Sequence, residues 1–367
     1  MKKIRVIITS PSLDTSKNVG GISNLTRLLI EKNDEIEFTH FIVGKEDSQK
    51  RNFKWFFLQF NRLYKFFNAT KKRRVDIAHI NYPMSQLSII INFLLILISS
   101  RINNVLTVVH LRGGVLSMND KVSWCQKIII NGSLQSAKKI IVLGEKEKEF
   151  INSFYGVSKN NIEVLPNSVE VPNESVILNK INNRCLQDLP ISILFIGRID
   201  SNKGLKEILD AFKSVKAKSN SFKFYLAGTG PDETSFIAEC NNILGDGFKY
   251  MGILDYKSKQ KLFLQIDVFI LPSYFEGLPN GLLETMSYGI VPIVTPVGSI
   301  PEVVTDSQTG YFVSVKDSLS LTCVIERIIS NKGMLKELGV NCYKKINEKY
   351  SISNYIIKLN SIYFEML

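Results

Sequence analysis

The feature that most constrains this chain is a regular alternation of short, β-branched apolar runs with longer stretches of helical character. In the second half the runs ISILFIGRI, FKFYLAG, FKYMG, VFILPS and VPIVTP are separated by amphipathic segments that begin near Leu205 and Asp232. Strands interleaved with helices build a parallel sheet from βαβ units. Most of these runs end in Gly, Pro or Ser, and open parallel sheets bind ligands just beyond the carboxyl ends of their strands. The first half repeats the scheme with IRVIIT, IEFTHFIV, DIAHIN, VLTVVH and KKIIVLG. The expectation is an α/β chain of two doubly wound, Rossmann-like domains facing a cleft, the default ligand site. The boundary falls near Asn167–Ser175, giving a first domain of 1–172 and a second of 173–349. The last stretch, 350–367, reads as a final helix.

A chain of 367 residues suffices for two such cores. Its five cysteines (Cys125, Cys185, Cys240, Cys323 and Cys342) are scattered and form no CxxC pair, and there are only three histidines. That argues against a disulfide framework or structural zinc and favours a reducing compartment. The opening MKKIRVIITSP is too short in its apolar run for a signal peptide and reads as a first strand. Leu87–Ile98 is too short to span a bilayer and reads as a buried helix. The net charge of +12 is uneven: residues 1–172 hold 25 Lys and Arg against 14 Asp and Glu, a balance of +11. The first half therefore faces something anionic: nucleic acid, a phospholipid surface or a pyrophosphate-bearing acceptor.

Residues 268–295, VFILPSYFEGLPNGLLETMSYGIVPIVT, carry the strongest chemical signal. A strand ends at Pro272-Ser273, a turn-rich loop follows, and a helix begins near Gly281. Glu276 lies on the loop and Glu284 on the first helical turn. Such a loop brings backbone N–H groups and a helix start to one spot, a means of holding an anion. Carboxylates accept paired hydrogen bonds from hydroxyls, as sugar and ribose binding requires. In the second signal, Phe195–Gly204, a strand ends and Arg198 and Lys203 flank the following turn. Two cations at the mouth of a parallel sheet neutralise a diphosphate through charge-assisted hydrogen bonds. Ala227-Gly228-Thr229-Gly230-Pro231 is a weaker Gly-rich loop, neither a GxGxxG fingerprint nor a P-loop. In the first half, Val19-Gly20-Gly21-Ile22-Ser23 opens a helix after the first strand, and His110 ends the strand VLTVVH ahead of Arg112.

These residues resemble the family 4 glycosyltransferases of bacterial surface polysaccharide and O-antigen assembly, over nearly the whole chain. The resemblance implies a GT-B fold, with the helix of 350–367 crossing back to the first domain and the two domains closing by a hinge, and retention of anomeric configuration. It implies that Glu276 bonds hydroxyls of the donor sugar and Glu284 the nucleotide ribose. Gly277, Leu278, Pro279 and Asn280 line the donor, Gly228 borders the nucleotide, and the backbone at Gly252 and Ile253 reads the base. Arg198 and Lys203 hold the pyrophosphate and stabilise the leaving nucleoside diphosphate. Gly20 and Gly21 meet the donor phosphate, and His110 touches the sugar at the reaction centre. Arg112 is the candidate contact for an anionic acceptor. The acceptor hydroxyl would approach on the face of the leaving diphosphate, whose oxygen takes the proton, so catalysis rests on positioning and charge stabilisation. No Asp-x-Asp motif is present, which suits a metal-independent enzyme without a cofactor. A UDP-sugar donor and a lipid-linked glycan acceptor of lipopolysaccharide or capsule synthesis fit this family. The rival readings are a sugar-nucleotide epimerase on the same fold, a hydrolase carboxylate pair, and a basic nucleic-acid-binding module, although no nucleic-acid motif supports the last.

The basic character concentrates in residues 49–74, QKRNFKWFFLQFNRLYKFFNATKKRR. Phe53, Phe57, Phe60, Tyr64 and Phe67 recur at helical spacing. Lys54, Arg62 and Lys65 lie off that stripe, and Lys71, Lys72, Arg73 and Arg74 follow it. A basic aromatic helix suits an anionic lipid surface and predicts a peripheral position on the inner face of the cytoplasmic membrane. The alternative is an ordinary helix with its aromatic face in the core.

Overall fold

Burial on both faces is what the Ile- and Val-rich runs demand, and a parallel sheet covered by helices supplies it. A computed structural model describes residues 3–14, 18, 20–44, 53–71, 75–114, 116–186, 189–219 and 221–367, with backbone alone for 53–57 and 185–186. The chain forms two units, Met1–Ser168 with Ile352–Leu367, and Val169–Ser351.

In the first unit the strands are β1 (Ile4–Ser10), β2 (Ile36–Ile42), β3 (Ile77–Tyr82), β4 (Leu106–Leu111), β5 (Lys139–Val142) and β6 (Ile162–Val164). They lie in the order β2-β1-β3-β4-β5-β6, all parallel. Side chains alternate between two cores, as the period of two requires. Ile7, Ala78, Ile80 and Val109 join Phe66, Ile89, Leu95 and Ile130 on one face. Val6, Ile8, Ile77 and Val108 join Leu25, Leu29, Leu359 and Tyr363 on the other. The last helix, Ile352–Met366, therefore packs on the first unit, against the helix Gly21–Lys32. Asn33 and Asn360 add a buried hydrogen bond of 2.8 Å between the two.

The second sheet comprises β7 (Ile191–Ile196), β8 (Phe222–Ala227), β9 (Phe248–Tyr250), β10 (Val268–Leu271), β11 (Val291–Val294) and β12 (Tyr311–Phe312). Its order is β12-β11-β10-β7-β8-β9. The strand order thus reverses between β7 and β10, which makes the crevice beyond their carboxyl ends the ligand position of a doubly wound sheet. Arg184 and Asp267, largely buried, clamp the helix Glu174–Leu186 to this sheet, and the Ser192 amide donates to Asp267 at 2.9 Å. The two chain crossings run side by side in this unit: the Val169 amide donates to the Tyr350 carbonyl at 3.0 Å, and Val169 pairs with Ser351. That pairing puts the division at 168/169 and 351/352, whereas composition had suggested 172/173 and 349/350.

Two expectations need correction. The sequence runs named above leave out the short strands β6 and β12. The helix over Leu87–Ile98 runs from Gln86 to Leu97 and is not buried all round, since Ile90 and Leu94 are exposed. No helix of the described residues is long and apolar enough to cross a membrane.

Candidate functional site

At the switch point of the second unit, β7 leads into Gly197-Arg198 and a 3-10 turn over Ser201–Lys203. Asp200 caps that turn by accepting from the Asn202 amide, a bond that lowers its pKa, with the Arg198 and Lys203 charges acting in the same direction. Gly204 then adopts φ +72°, and a Cβ there would lie 2.2 Å from the Pro272 carbonyl oxygen. Only glycine lets the first loop settle onto the end of β10. The Tyr274 amide donates to the Asn202 carbonyl at 2.8 Å and ties the two loops together. The consequence is a contact between distant residues: Lys203 Nζ lies 2.6 Å from Glu276 Oε1, and Ser273 Oγ donates to the same oxygen at 2.8 Å. Arg198 behaves differently. Its side chain is 70% exposed and only loosely paired, 3.6 Å from Asp200.

The Glu276 loop rests on a residue that sequence reasoning passed over. Gly298, at φ +56°, would place a Cβ 2.1 Å from the Glu276 carbonyl oxygen, and the Ser299 amide donates to the Gly277 carbonyl at 2.9 Å. Leu278 is buried, Pro279 precedes the helix, and Asn280 begins it with Oδ1 buried and without a partner. That helix, Asn280–Met286, is only seven residues long, so it offers less of a dipole than the expected helix start would. Glu284 on this helix is held by Lys259, whose Nζ lies 2.9 and 2.8 Å from its two oxygens. Lys259 was also missed: it lies on the helix Tyr256–Phe263, in a stretch with no motif. Gly228 (φ +126°) donates to the Gly252 carbonyl at 2.8 Å and approaches Gly197 so closely that a Cβ would lie 1.8 Å from its oxygen. Gly252 (φ +63°) has open space around it, and Ile253 beside it is exposed. Tyr250 donates to Glu233 at 2.7 Å, and its own phenol is pushed up to about 12, by burial first and by that carboxylate second. The Arg198, Lys203, Glu276 and Glu284 regions thus converge around one sheet edge, with Gly228 and Gly252 alongside.

In the first unit Gly20 precedes the helix Gly21–Lys32, and its amide donates to Asn18 Oδ1 at 2.8 Å. Val19 lies outside the described residues. His110 is fully buried. Its Nδ1 faces His79 Nε2 at 3.2 Å, and His79 Nδ1 faces the Tyr363 hydroxyl at 2.7 Å. His110 Nε2 is buried with no hydrogen-bond partner. Burial, reinforced by Arg112, holds His79 at about 3 and His110 well below its ordinary value. Arg112, the acceptor candidate, sits among polar partners of its own unit. Its guanidinium donates to Asn81 Oδ1 (2.6 Å), Asn167 Oδ1 (2.9 Å) and the Tyr355 hydroxyl (3.2 Å), bracing β3 and the last helix.

The basic aromatic segment forms a helix over Phe53–Ala69. Among its described side chains Gln59 and Phe66 are buried, whereas Phe60 and Tyr64 are 69% and 67% exposed. Of the aromatic stripe, Phe60 and Tyr64 are turned away from the core and Phe67 is half-buried, while the side chains of Phe53 and Phe57 lie outside the described residues. Arg62 is not presented to solvent as expected: it donates to the Gly44 carbonyl at 2.6 Å. Lys65 and Lys71 are exposed, while the Lys54 side chain and Lys72, Arg73 and Arg74 lie outside the described residues. Asn103 donates to the Phe67 carbonyl at 2.9 Å, and this helix lies against the apolar helix Gln86–Leu97, whose Ile90 and Leu94 are exposed.

Two parallel six-stranded α/β units, one with its switch point lined by paired carboxylates and lysines, define a GT-B type of fold. Residues 182–345 match the family model described as glycosyl transferases group 1. A relative named uncharacterized glycosyltransferase MJ1607, from Methanocaldococcus jannaschii, is 26% identical over 68% of this chain, which spans just under two thirds (65%) of that relative's length. The Escherichia coli protein named UDP-Gal:alpha-D-GlcNAc-diphosphoundecaprenol alpha-1,3-galactosyltransferase is 24% identical over 83% of this chain and 79% of its own. The Anabaena protein Alr3699/HepE, solved with UDP and glucose, shares the fold at a TM-score of 0.73 and 14% identity, covering 98% of this chain and 99% of its own.

Proposed function

We propose that this chain transfers a sugar from a nucleoside diphosphate donor, a UDP-sugar, to a lipid-linked glycan acceptor in surface polysaccharide synthesis, with retention of configuration and without a metal ion. The observation that carries the reading is the Lys203–Glu276 contact beside the exposed Arg198 at the β7/β10 switch point. Lys203 and Arg198 supply the charge that a leaving diphosphate needs, and charge-assisted hydrogen bonds of this type are worth about 1.5–3 kcal/mol each. Glu276, held by Lys203 and Ser273, keeps its other oxygen available to accept from sugar hydroxyls. Glu284, fixed by Lys259, would accept from ribose hydroxyls, and the open space around Gly252 leaves the neighbouring backbone accessible to a nucleotide. The names of the E. coli and Anabaena relatives, which mention UDP-Gal, a diphosphoundecaprenol-linked sugar, and UDP with glucose, support this choice of donor and acceptor class.

The exposed Phe60 and Tyr64, the exposed apolar residues of the adjoining helix, and the +11 balance of residues 1–172 support docking of the first unit on an anionic membrane surface, at the inner face of the cytoplasmic membrane. A lipid-linked acceptor would be met there. The experiment is turnover of UDP-, GDP- and ADP-sugars in EDTA, with and without a lipid-linked acceptor extract. Diphosphate release that needs the acceptor, survives EDTA and is lost in Glu276→Ala and Lys203→Ala is the expected result. Conversion of the nucleotide sugar without acceptor would replace transfer by epimerisation, and loss of turnover in EDTA would restore a metal.

A further inference from the structure

Tyr274 stands just before Glu276 in the loop that follows β10, and its contacts reach both neighbouring loops of the second unit. Its amide donates to the carbonyl of Asn202, the residue before Lys203, at 2.8 Å. Its hydroxyl lies 2.8 and 2.9 Å from the two carboxylate oxygens of Glu207 and donates to them. Glu207 is buried in the first turn of the helix Leu205–Lys216, which begins directly after the Lys203 turn. From the loop after β12, the Lys316 ammonium stands 5.2 Å from the centre of the tyrosine ring, a weaker cation–π contact.

The direction of the hydroxyl bond is fixed by chemistry. An ionised carboxylate only accepts, so the phenol is the donor. Burial first and the Glu207 carboxylate second push that phenol up to about 12, and it keeps its hydrogen at neutral pH. Loss of the hydroxyl would leave a buried carboxylate unpaired, which is costly. Lys203 is thus bracketed in the chain: Asn202 before it and Glu207 beyond it are both bonded to one tyrosine. The chain of that tyrosine runs on to Glu276, the residue whose Oε1 lies 2.6 Å from Lys203 Nζ.

We propose that Tyr274 is a positioning residue: through Asn202 and Glu207 it holds Lys203 against Glu276 before the donor binds, and so sets the ammonium where the leaving diphosphate gains charge. Tyr274 itself touches no reacting atom. A charge already in place needs no reorganisation during reaction, and a remote change that displaces it by about 1 Å can cost about a hundredfold. The role in transfer rests on the transferase reading above. The clamp does not.

The test is Tyr274→Phe, which removes one oxygen and keeps the amide bond to Asn202. Its kcat should fall about ten- to a hundredfold with the sugar-nucleotide KM within about threefold, because the loss falls on charge that develops in the transition state. Made in a Lys203→Met background, the same substitution should lower kcat no further, since no ammonium remains to be held. Glu207→Gln keeps an acceptor oxygen for the phenol and should retain kcat within about threefold, whereas Glu207→Leu should lose as much as Tyr274→Phe. If Tyr274→Phe does not fold, Glu207→Leu carries the same comparisons. A crystal structure of Tyr274→Phe should show Lys203 Nζ more than about 4 Å from Glu276, beyond ion-pair range. The contact unchanged at 2.6 Å overturns the proposal whatever the reaction is. So do equal losses of kcat in the two backgrounds, or a lower Tm with kcat unchanged, either of which marks a purely structural tyrosine. A loosened contact, with no nucleotide sugar turned over by the unsubstituted protein, leaves the clamp intact and overturns its role in transfer together with the transferase reading.

Discussion

Lys259 sets its ammonium 2.9 and 2.8 Å from the two carboxylate oxygens of Glu284, across a gap of 25 residues in the chain. Both side chains are mostly shielded from water, so the pair is less screened than a surface ion pair. Lys259→Met should leave Glu284 free to swing from its position. The expected outcome is a five- to tenfold rise in sugar-nucleotide KM, about 1–1.4 kcal/mol, with kcat within about twofold. Steady-state kinetics at saturating acceptor checks it; a selective loss of kcat would place Glu284 in the chemical step instead.

The Lys203–Glu276 contact predicts strong non-additivity. Glu276→Gln and Lys203→Met should each lower kcat/KM by about two to three orders of magnitude, the range for removing a preorganised charge at a reaction centre. Because each residue holds the other in place, the double variant should be little worse than the poorer single one. A double-mutant cycle measures this, and fully additive losses would show that the two act separately.

Acid should destabilise the first unit through its histidines. His79 is held at about 3 and His110 well below 6.5, the ordinary value. Because both folded values are depressed, the unfolded chain binds protons that the native chain refuses. Stability is therefore retained above about pH 6.5 and lost as pH falls below it. Each ring contributes about 1.4 kcal/mol per pH unit there, so the two together give about 4 kcal/mol by pH 5. Urea unfolding at pH 7 and 5 tests the sign and slope, with His79→Asn expected to remove about half of the dependence.

Two glycines beside the nucleotide region should respond differently to one added methyl group. Gly228→Ala meets the Gly197 carbonyl at 1.8 Å as well as an unfavourable φ, and should cost more than about 4 kcal/mol or abolish folding. Gly252→Ala meets nothing within 4 Å and pays only for its left-handed backbone, about 1–2 kcal/mol. Thermal unfolding of the two variants gives the comparison.

The aromatic flank of the helix Phe53–Ala69 predicts a salt-sensitive membrane interaction. Phe60→Asp with Tyr64→Asp should lower partitioning onto vesicles containing anionic lipid by tenfold or more, since burying one aromatic ring is worth about 1.5–3 kcal/mol. Flotation should leave turnover of a soluble acceptor analogue unchanged. Equal binding by the variant would assign the exposed rings to some other partner.

The sequence by itself determined the two-sheet architecture, because strand runs and helical periods are local and ten of the twelve strands stand out as apolar runs. It also determined the last helix and the loops bearing Arg198, Lys203, Glu276 and Glu284, since turn chemistry and charge are written in consecutive residues. Only the tertiary structure decided which of these meet. Lys259 reaches Glu284, Gly298 supports Glu276, and Tyr363 lines up with His79 and His110 through separations of 25, 22 and 284 residues, for which no local period exists. It likewise decided that Arg112 braces its own unit and that Phe60 and Tyr64 face outward. A helical repeat records that a stripe exists, but which stripe is buried depends on the sheet that packs against it.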